Sequence, residues 1–373
     1  MKKSLGIYIH IPFCLRKCNY CDFCSFPDRD KETVLKYADS VCRDIKRSPQ
    51  TKGEYTVDTV YFGGGTPSLM PKEGIEKILN SLRSHFDIAE EAEITMECNP
   101  ATADLEYLSA VHEMGINRLS IGLQSAVDGE LKLLGRAHSL EDFKGCYDNA
   151  RRAGFDNVSV DLMYGIPDQT EESLFQSLRF IETIAPEHVS VYGLMIEEGT
   201  YFASHEKELR LADDDGQAQM YLLISGELAR MGYGKYEISN FSLQGRESRH
   251  NMRYWHCLEY LGFGVAAHSY FQGERYGNSR DIGGYLQGVN ITEERETVDG
   301  DGERAEYLML GMRLAEGVSR KEYASRFGRE LDGDLPPMEE LFFEGFLLDD
   351  GDRICFTDKG FLVSNEIIAR MLP

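Results

Sequence analysis

Apolar and polar positions along the first half of the chain follow a repeating order of strand and helix. Runs rich in β-branched and aromatic residues predict six strands, at 5–11, 57–62, 92–98, 118–123, 158–163 and 188–196. Between them, apolar residues recur with helical spacing at about 31–48, 71–86, 104–114, 140–153 and 170–184. This alternation is typical of helices packed around a parallel sheet, and six such strands can close most of a barrel. The pattern predicts an α/β fold, an incomplete (β/α)6 barrel of the TIM type.

The pattern changes after residue 212. A predicted helix at about 213–231 precedes a stretch rich in glycine and aromatic residues that ends near residue 290. Helical spacing returns at 303–327, 337–345 and 358–371, and a hairpin is predicted at 346–356, with its turn at Asp350-Gly351-Asp352. We therefore expect a barrel over 1–212, an extension over 213–300 and a small winged-helix-like α+β lobe over 301–373.

The charge and the hydrophobicity of the chain exclude two classes of function. Its 373 residues include 40 Lys and Arg against 63 Asp and Glu, a formal net charge of −23, whereas a nucleic-acid partner requires a basic face. No apolar run approaches the roughly 18 residues of a membrane span. The apolar start imitates a signal peptide, but His10 and Pro12 interrupt it and no cleavage site follows. We expect a cytoplasmic protein that binds no nucleic acid.

Four of the nine cysteines lie within residues 14–24. Cys14, Cys18 and Cys21 have the spacing Cys-x3-Cys-x2-Cys in a loop after the first predicted strand. Three thiolates on a cluster of four irons leave one iron open to the amine and carboxylate of a small molecule, as radical chemistry with S-adenosylmethionine requires. A structural zinc that recruits Cys24 as a fourth thiolate is the alternative. The cysteines alone leave both interpretations open.

Polar residues follow the ends of consecutive predicted strands, where ligands bind in an α/β barrel. The glycines at 63–65 let backbone groups approach a ligand closely. Glu97, Gln124 and Asp161 can accept hydrogen bonds from ribose hydroxyls or an ammonium group, and Arg136 can bind a carboxylate. Each residue alone is ordinary, but together they predict a ligand site at one rim of the barrel.

Four segments, at 8–23, 63–67, 115–124 and 161–167, resemble the radical-SAM family of oxygen-independent coproporphyrinogen III oxidases and their relatives. The resemblance runs from about residue 5 into the last lobe. It implies that Cys14, Cys18 and Cys21 hold a [4Fe–4S] cluster. It also implies that the S-adenosylmethionine pocket is lined by Tyr8, Tyr20, Gly64, Gly65, Thr66, Glu97, Gln124, Arg136 and Asp161.

Two branches of this family differ in function. The oxidases resemble one another in a fourth cysteine two positions after the third, where this chain has Phe23, and Cys24 is displaced by one residue. The HemW-type heme chaperones are more similar, through Phe23 and the segments 236–241 and 250–255. The resemblance thus favours a chaperone that binds heme and transfers it to an acceptor hemoprotein. It also implies an electron donor such as flavodoxin or ferredoxin.

The segment 250–255, His-Asn-Met-Arg-Tyr-Trp, also has the chemistry of a heme site. His250 offers an axial imidazole. The aromatic residues that follow it can contact the macrocycle, and the arginines on both sides of it can pair with the propionates. These neighbours are Tyr254, Trp255, Arg246, Arg249 and Arg253. His256 and His268 are further ligand candidates, and a purely structural role for His250 and Trp255 stays open. The second hypothesis is an oxidase that decarboxylates coproporphyrinogen III to protoporphyrinogen IX by means of a 5′-deoxyadenosyl radical.

Overall fold

Six parallel strands lie side by side in chain order in the computed structural model, which describes residues 2–27 and 30–372. They are β1 (Lys3–Ile11), β2 (Tyr55–Gly64), β3 (Ile88–Cys98), β4 (Arg118–Gln124), β5 (Val158–Tyr164) and β6 (His188–Gly193). The helices between them are α1 (Lys31–Arg47), α2 (Lys72–His85), α3 (Leu105–Glu113), α4 (Leu140–Arg152) and α5 (Glu171–Ile184), with a short helix, Asp128–Leu133, before α4. The predicted incomplete α/β barrel is confirmed.

Polar caps and apolar faces explain why these segments form helices against the sheet. The Asp30 carboxylate accepts a hydrogen bond from the Thr33 amide at the start of α1, and Ser139 forms a reciprocal capping box with Asp142 at the start of α4. One face of the strands is apolar and packs against the helices in a continuous core. The other face carries groups such as Tyr8 and Tyr61, whose rings stack inside the barrel. The barrel interior therefore offers hydrogen-bonding groups to a ligand.

Residues beyond β6 extend the same sheet at both edges to a total of twelve strands within the described residues. At the β6 edge these are β7 (Gly234–Lys235) and β8 (Asn240–Ser242); at the β1 edge they are β9 (Tyr260–Phe263), β10 (His268–Phe271), β11 (Glu274–Asn278) and β12 (Thr292–Thr297). The accompanying helices are Tyr201–Ser204, Asp214–Arg230, Arg249–Trp255 and Ile282–Gln287. The three-part division at 212 and 300 stays a prediction.

The last part of the chain has its own hydrophobic core and a three-stranded antiparallel sheet. The strands are Val318–Ser319, Leu347–Asp349 and Arg353–Phe356. The helices are Gly300–Gly311, Arg320–Phe327, Leu331–Asp334, Glu339–Phe343, Asp358–Leu362 and Ser364–Met371. Among the helices described, none is long and apolar enough to cross a membrane.

The expectation of one helical segment over 303–327 is wrong. The first helix of the lobe ends at Gly311, and the chain turns into a short strand before the next helix begins at Arg320. At the turn, Gly317 has a φ of +65°, and a Cβ there would lie 1.9 Å from the carbonyl oxygen of Ile354. The close packing of this turn against the hairpin requires glycine, because a side chain has no room.

Candidate functional site

The loop that carries the cysteine motif is fastened over the carboxyl ends of the strands. Its two ends, Phe13–Cys14 and Phe26–Pro27, pair as short parallel strands. In the middle, the Asn19 side chain donates a hydrogen bond of 2.8 Å to the carbonyl of Leu133. Gly135 has a φ of +73°, and a Cβ there would lie 3.0 Å from the Asn19 side chain. The loop is thereby held beside Arg136, the next residue along the chain.

Cys14, Cys18 and Cys21 line one wall of a cavity of about 400 Å³ and form no disulfide. Thr66 Oγ1 donates to Cys14 Sγ at 3.6 Å, and Arg136 Nη1 donates to Cys18 Sγ at 3.7 Å. Such donors stabilise the thiolate form, which is the form that ligates metal. Burial raises the pKa of Cys21 to about 11, so a bound metal would have to displace its proton.

Three thiols facing one cavity fit a cluster better than a closed site for a single ion. Within residues 2–27 and 30–372, no three His, Cys, Asp or Glu side chains lie close enough together to hold one metal ion. A four-iron cluster is wider than an ion, so its ligands lie farther apart. Cys24 does not line this cavity.

The glycine turn after β2 packs tightly against β1 and the cysteine loop. Gly64 has a φ of +116°, and a Cβ there would lie 2.5 Å from the His10 ring. A Cβ on Gly65 would lie 2.8 Å from the Phe13 carbonyl and 3.1 Å from Cys14 Sγ. These glycines are therefore required by contacts within the protein, in addition to any approach of a ligand.

Glu97 and Asp161 form a buried acidic pair across the cavity. Glu97 accepts hydrogen bonds of 3.0 Å from the Tyr61 hydroxyl and from the Gly64 amide. Burial, and secondarily the neighbouring Asp161, raises the pKa of Glu97 to about 7. Asp161 accepts a hydrogen bond of 2.9 Å from Ser120, and burial raises its pKa as well. A ligand that brings a positive charge or hydroxyl donors to this pair would stabilise the ionised carboxylates.

Beside Asp161, the cavity also presents hydrogen-bond donors. Arg136 donates from Nη2 to the Gly122 carbonyl at 3.2 Å, while its buried Nε has no partner among the described residues. Gln124 ends β4 with a left-handed φ of +64°, a conformation that costs free energy outside glycine. Buried donors are normally satisfied, so the unpaired Nε fits a carboxylate-bearing ligand.

The structure brings most of the predicted pocket residues together. This cavity is lined by Tyr20, Gly64, Gly65, Thr66, Glu97, Gln124, Arg136 and Asp161, as well as the three cysteines. Tyr8 is not among its lining residues; it lies in a second cavity of about 380 Å³, where its hydroxyl is 3.0 Å from His10 Nδ1. Ser120 and Tyr192 also line the first cavity and were not predicted from the sequence. The even spacing of Ser120 from Gln124 on β4 was the available signal for Ser120.

His250 lies toward the amino-terminal ends of the strands, away from the cysteine loop. The Glu93 carboxylate accepts hydrogen bonds from the amides of Arg249 and His250 and so holds the start of this helix. The His250 ring is buried, with Nδ1 2.9 Å from Thr59 Oγ1 and Nε2 2.9 Å from the Tyr254 hydroxyl. Burial lowers its pKa to about 3. In this arrangement neither ring nitrogen is free for iron, and His250 lines neither cavity.

The arginines near His250 have structural partners, contrary to their expected role toward propionates. Arg253 is buried and donates to Asp58 at 2.5 Å and to Ser4 at 3.2 Å. It lies where a Cβ on Gly6 would clash at 2.6 Å, so it fills the space beneath β1. Arg249 donates to the Glu91 carbonyl at 2.8 Å. The helix therefore closes the barrel, with Arg253 neutralised by an acidic partner.

Comparisons with known proteins agree with this geometry. Residues 8–181 match the radical SAM superfamily, and residues 301–363 match the HemN C-terminal domain. The heme chaperone HemW of Bacillus subtilis is 33% identical, over 98% of this chain and 98% of that protein. The heme chaperone HemW of Escherichia coli is 32% identical, over 99% and 98%. The structure of the Escherichia coli radical SAM enzyme coproporphyrinogen III oxidase, HemN, superposes with a TM-score of 0.87 at 23% identity, covering 99% of this chain and 90% of that one.

Proposed function

Because the chain belongs to the HemW family of heme chaperones, within the radical SAM superfamily, we propose that it binds heme and passes it to an acceptor hemoprotein. The observation that carries this proposal is the similarity to HemW proteins at 32–33% identity over nearly the full length of both chains. Phe23, at the position where the oxidases have a fourth cysteine, supports the same branch. The exclusion of Cys24 from the first cavity agrees with a cluster held by three thiolates.

The first cavity would hold the radical SAM cofactors. Cys14, Cys18 and Cys21 would ligate the [4Fe–4S] cluster, which, when bound, supplies single electrons to S-adenosylmethionine. Glu97 and Asp161 would accept hydrogen bonds from its hydroxyl and ammonium groups, and Arg136 would pair with its carboxylate. The electron would come from a donor such as flavodoxin or ferredoxin.

Oxidative decarboxylation of coproporphyrinogen III is the second candidate function. The observation that favours it is the superposition on the coproporphyrinogen III oxidase with a TM-score of 0.87. A shared fold hosts many chemistries, so this similarity carries less weight than full-length sequence similarity to chaperones. The two functions differ in an observable way, because a chaperone binds finished heme and an oxidase consumes its precursor.

One anaerobic preparation with a reconstituted cluster separates the two functions. We expect added heme to give a Soret band. We also expect the heme to move to an apo-hemoprotein, and the absorbance of this acceptor measures the transfer. We expect no conversion of coproporphyrinogen III in the presence of a reductant and S-adenosylmethionine. Turnover at an enzymatic rate, on the order of one per second, would reject the chaperone in favour of the oxidase.

The raised pKa of Glu97 predicts a pH dependence of cofactor binding. Below pH 7 the free protein holds Glu97 protonated, since its pKa is about 7, and a neutral acid is a poor acceptor for a cationic ligand. S-adenosylmethionine should therefore bind more tightly as the pH rises, by up to about tenfold between pH 6 and pH 8. Without ligand, the raised pKa has the opposite effect on folding. The unfolded chain ionises Glu97 near its ordinary pKa of 4.5, so the free protein loses stability as the pH rises from about 4.5 to about 7.

Calorimetric titration of the wild type and of Glu97→Gln tests this dependence. The amide cannot titrate, so the variant should bind more weakly and lose the part of the pH dependence that the carboxylate causes. The same pH profile in both proteins would remove Glu97 from the cofactor site.

A further inference from the structure

A second cavity opens beside the first and is not explained by the cluster or its cofactor. The two cavities share Asp22, Phe23, Gly64 and Glu97 as wall residues, so they are contiguous. The second extends from the barrel interior toward β9 and β10, the strands added at the β1 edge. Its volume of about 380 Å³ is in the range of small-molecule sites.

Two histidines line this second cavity, and only one is available as a ligand. The His10 ring is buried, with Nδ1 3.0 Å from the Tyr8 hydroxyl and Nε2 3.0 Å from the Cys24 carbonyl. His268, the first residue of β10, is exposed and has no hydrogen-bond partner for its ring anywhere in residues 2–27 and 30–372. An axial ligand needs a free nitrogen lone pair, and His268 has one.

The strand beside His268 holds its ring in place. Gly277 of β11 is directly opposite His268, and a Cβ there would lie 2.9 Å from the ring. The ring therefore lies across the glycine, which fixes its position without using either nitrogen. A preoriented ligand loses less entropy when it binds.

The remaining walls suit an anionic macrocycle. Tyr254 and Tyr260 pack edge to face with ring centroids 4.7 Å apart, and Phe23 is largely exposed at the edge shared with the first cavity. Arg280 lines the same cavity and forms no ion pair with any described residue. An unpaired guanidinium in a chain of net charge −23 is well suited to a carboxylate, and aromatic rings to a porphyrin face.

His250 reaches this cavity only indirectly. Its Nε2 is 2.9 Å from the hydroxyl of Tyr254, whose side chain forms part of the cavity wall. A change at His250 would therefore alter the wall without removing a ligand.

We propose that heme binds in this second cavity, with His268 as axial ligand, Arg280 paired with a propionate, and His250 acting only as a positioning residue for Tyr254. The proposal rests on the proposed heme-binding function and assigns its site. It places the heme next to the cluster cavity, against the Tyr254 side chain of the helix that carries His250.

The test is a hemin titration of the full-length protein with its cluster reconstituted anaerobically. We expect His268→Ala to weaken binding by about tenfold or more and to shift the Soret band. Added imidazole should restore the wild-type band, because it replaces the missing ligand. His250→Ala should weaken binding less, keep the band position and show no rescue by imidazole. His205→Ala, at a histidine that lines neither cavity, is the matched control and should match the wild type.

A second variant tests the propionate contact. Arg280→Ala should weaken the binding of hemin several-fold but leave the binding of hemin dimethyl ester unchanged, since the ester has no carboxylates. A wild-type band in His268→Ala, or a shifted band in His250→Ala that imidazole restores, would overturn this site while leaving the chaperone function intact. A wild-type protein that binds no hemin would overturn the proposed function itself.

Discussion

Replacing Cys14, Cys18 or Cys21 with serine is expected to remove the iron–sulfur cluster completely. All three side chains face the first cavity, and a cluster with only three protein thiolates cannot lose one and remain bound at full occupancy. Reconstituted wild-type protein should contain about four irons per chain, and each variant close to none. Iron and sulfide analysis with the visible absorption spectrum measures the effect.

Cys24→Ser is the matched control for this prediction because it lies in the same loop. Its side chain lines the second cavity and not the first, so the iron content should stay at the wild-type level. Loss of iron from Cys24→Ser would contradict the three-ligand site and favour a set of four thiolates.

Gly64→Ala is expected to cost about 2–4 kcal/mol of folding stability. The residue has a φ of +116°, where a non-glycine residue is strained by roughly 1–3 kcal/mol. The new Cβ would also lie 2.5–2.9 Å from three atoms of the His10 ring, which is itself fixed by two hydrogen bonds. Because the Gly64 amide binds Glu97, cofactor affinity should fall as well. Denaturation with urea measures the stability.

Gly129→Ala provides the control for Gly64→Ala. Gly129 lies in the short helix Asp128–Leu133, and a Cβ there would meet no atom within 4 Å. Alanine in a helix should leave stability unchanged or raise it by up to about 1 kcal/mol. Equal stabilities for the two variants would mean that the turn at Gly64 has room for a side chain and would contradict this prediction.

The sequence was sufficient to predict the barrel and most of the rim of the first cavity. Both follow from local rules: alternating hydrophobicity defines the strands, and the carboxyl ends of parallel strands meet at one edge. Glu97, Gln124 and Asp161 therefore met in one cavity as predicted. The four strands between Tyr260 and Thr297 were not predicted, because glycine and polar residues interrupt their alternation and pairing with neighbours decides their structure.

The direction in which interior side chains point was harder to predict. The pairing register shifts between Leu5 and Gly6 and between Val57 and Thr59. Such irregularities change the face on which the following residues lie, and sequence alternation does not reveal them. Arg253 likewise has its charge neutralised by Asp58, a residue 195 positions away, so its cationic character in the sequence was misleading.

The shared wall of the two cavities has a thermodynamic consequence. Gly64 and Glu97 border both, so a molecule that moves either residue in one cavity changes the free energy of binding in the other. Any such coupling is reciprocal: if an occupant of the first cavity weakens heme binding by some factor, heme weakens the binding of that occupant by the same factor. S-adenosylmethionine would then act as an allosteric effector of heme release, without being consumed.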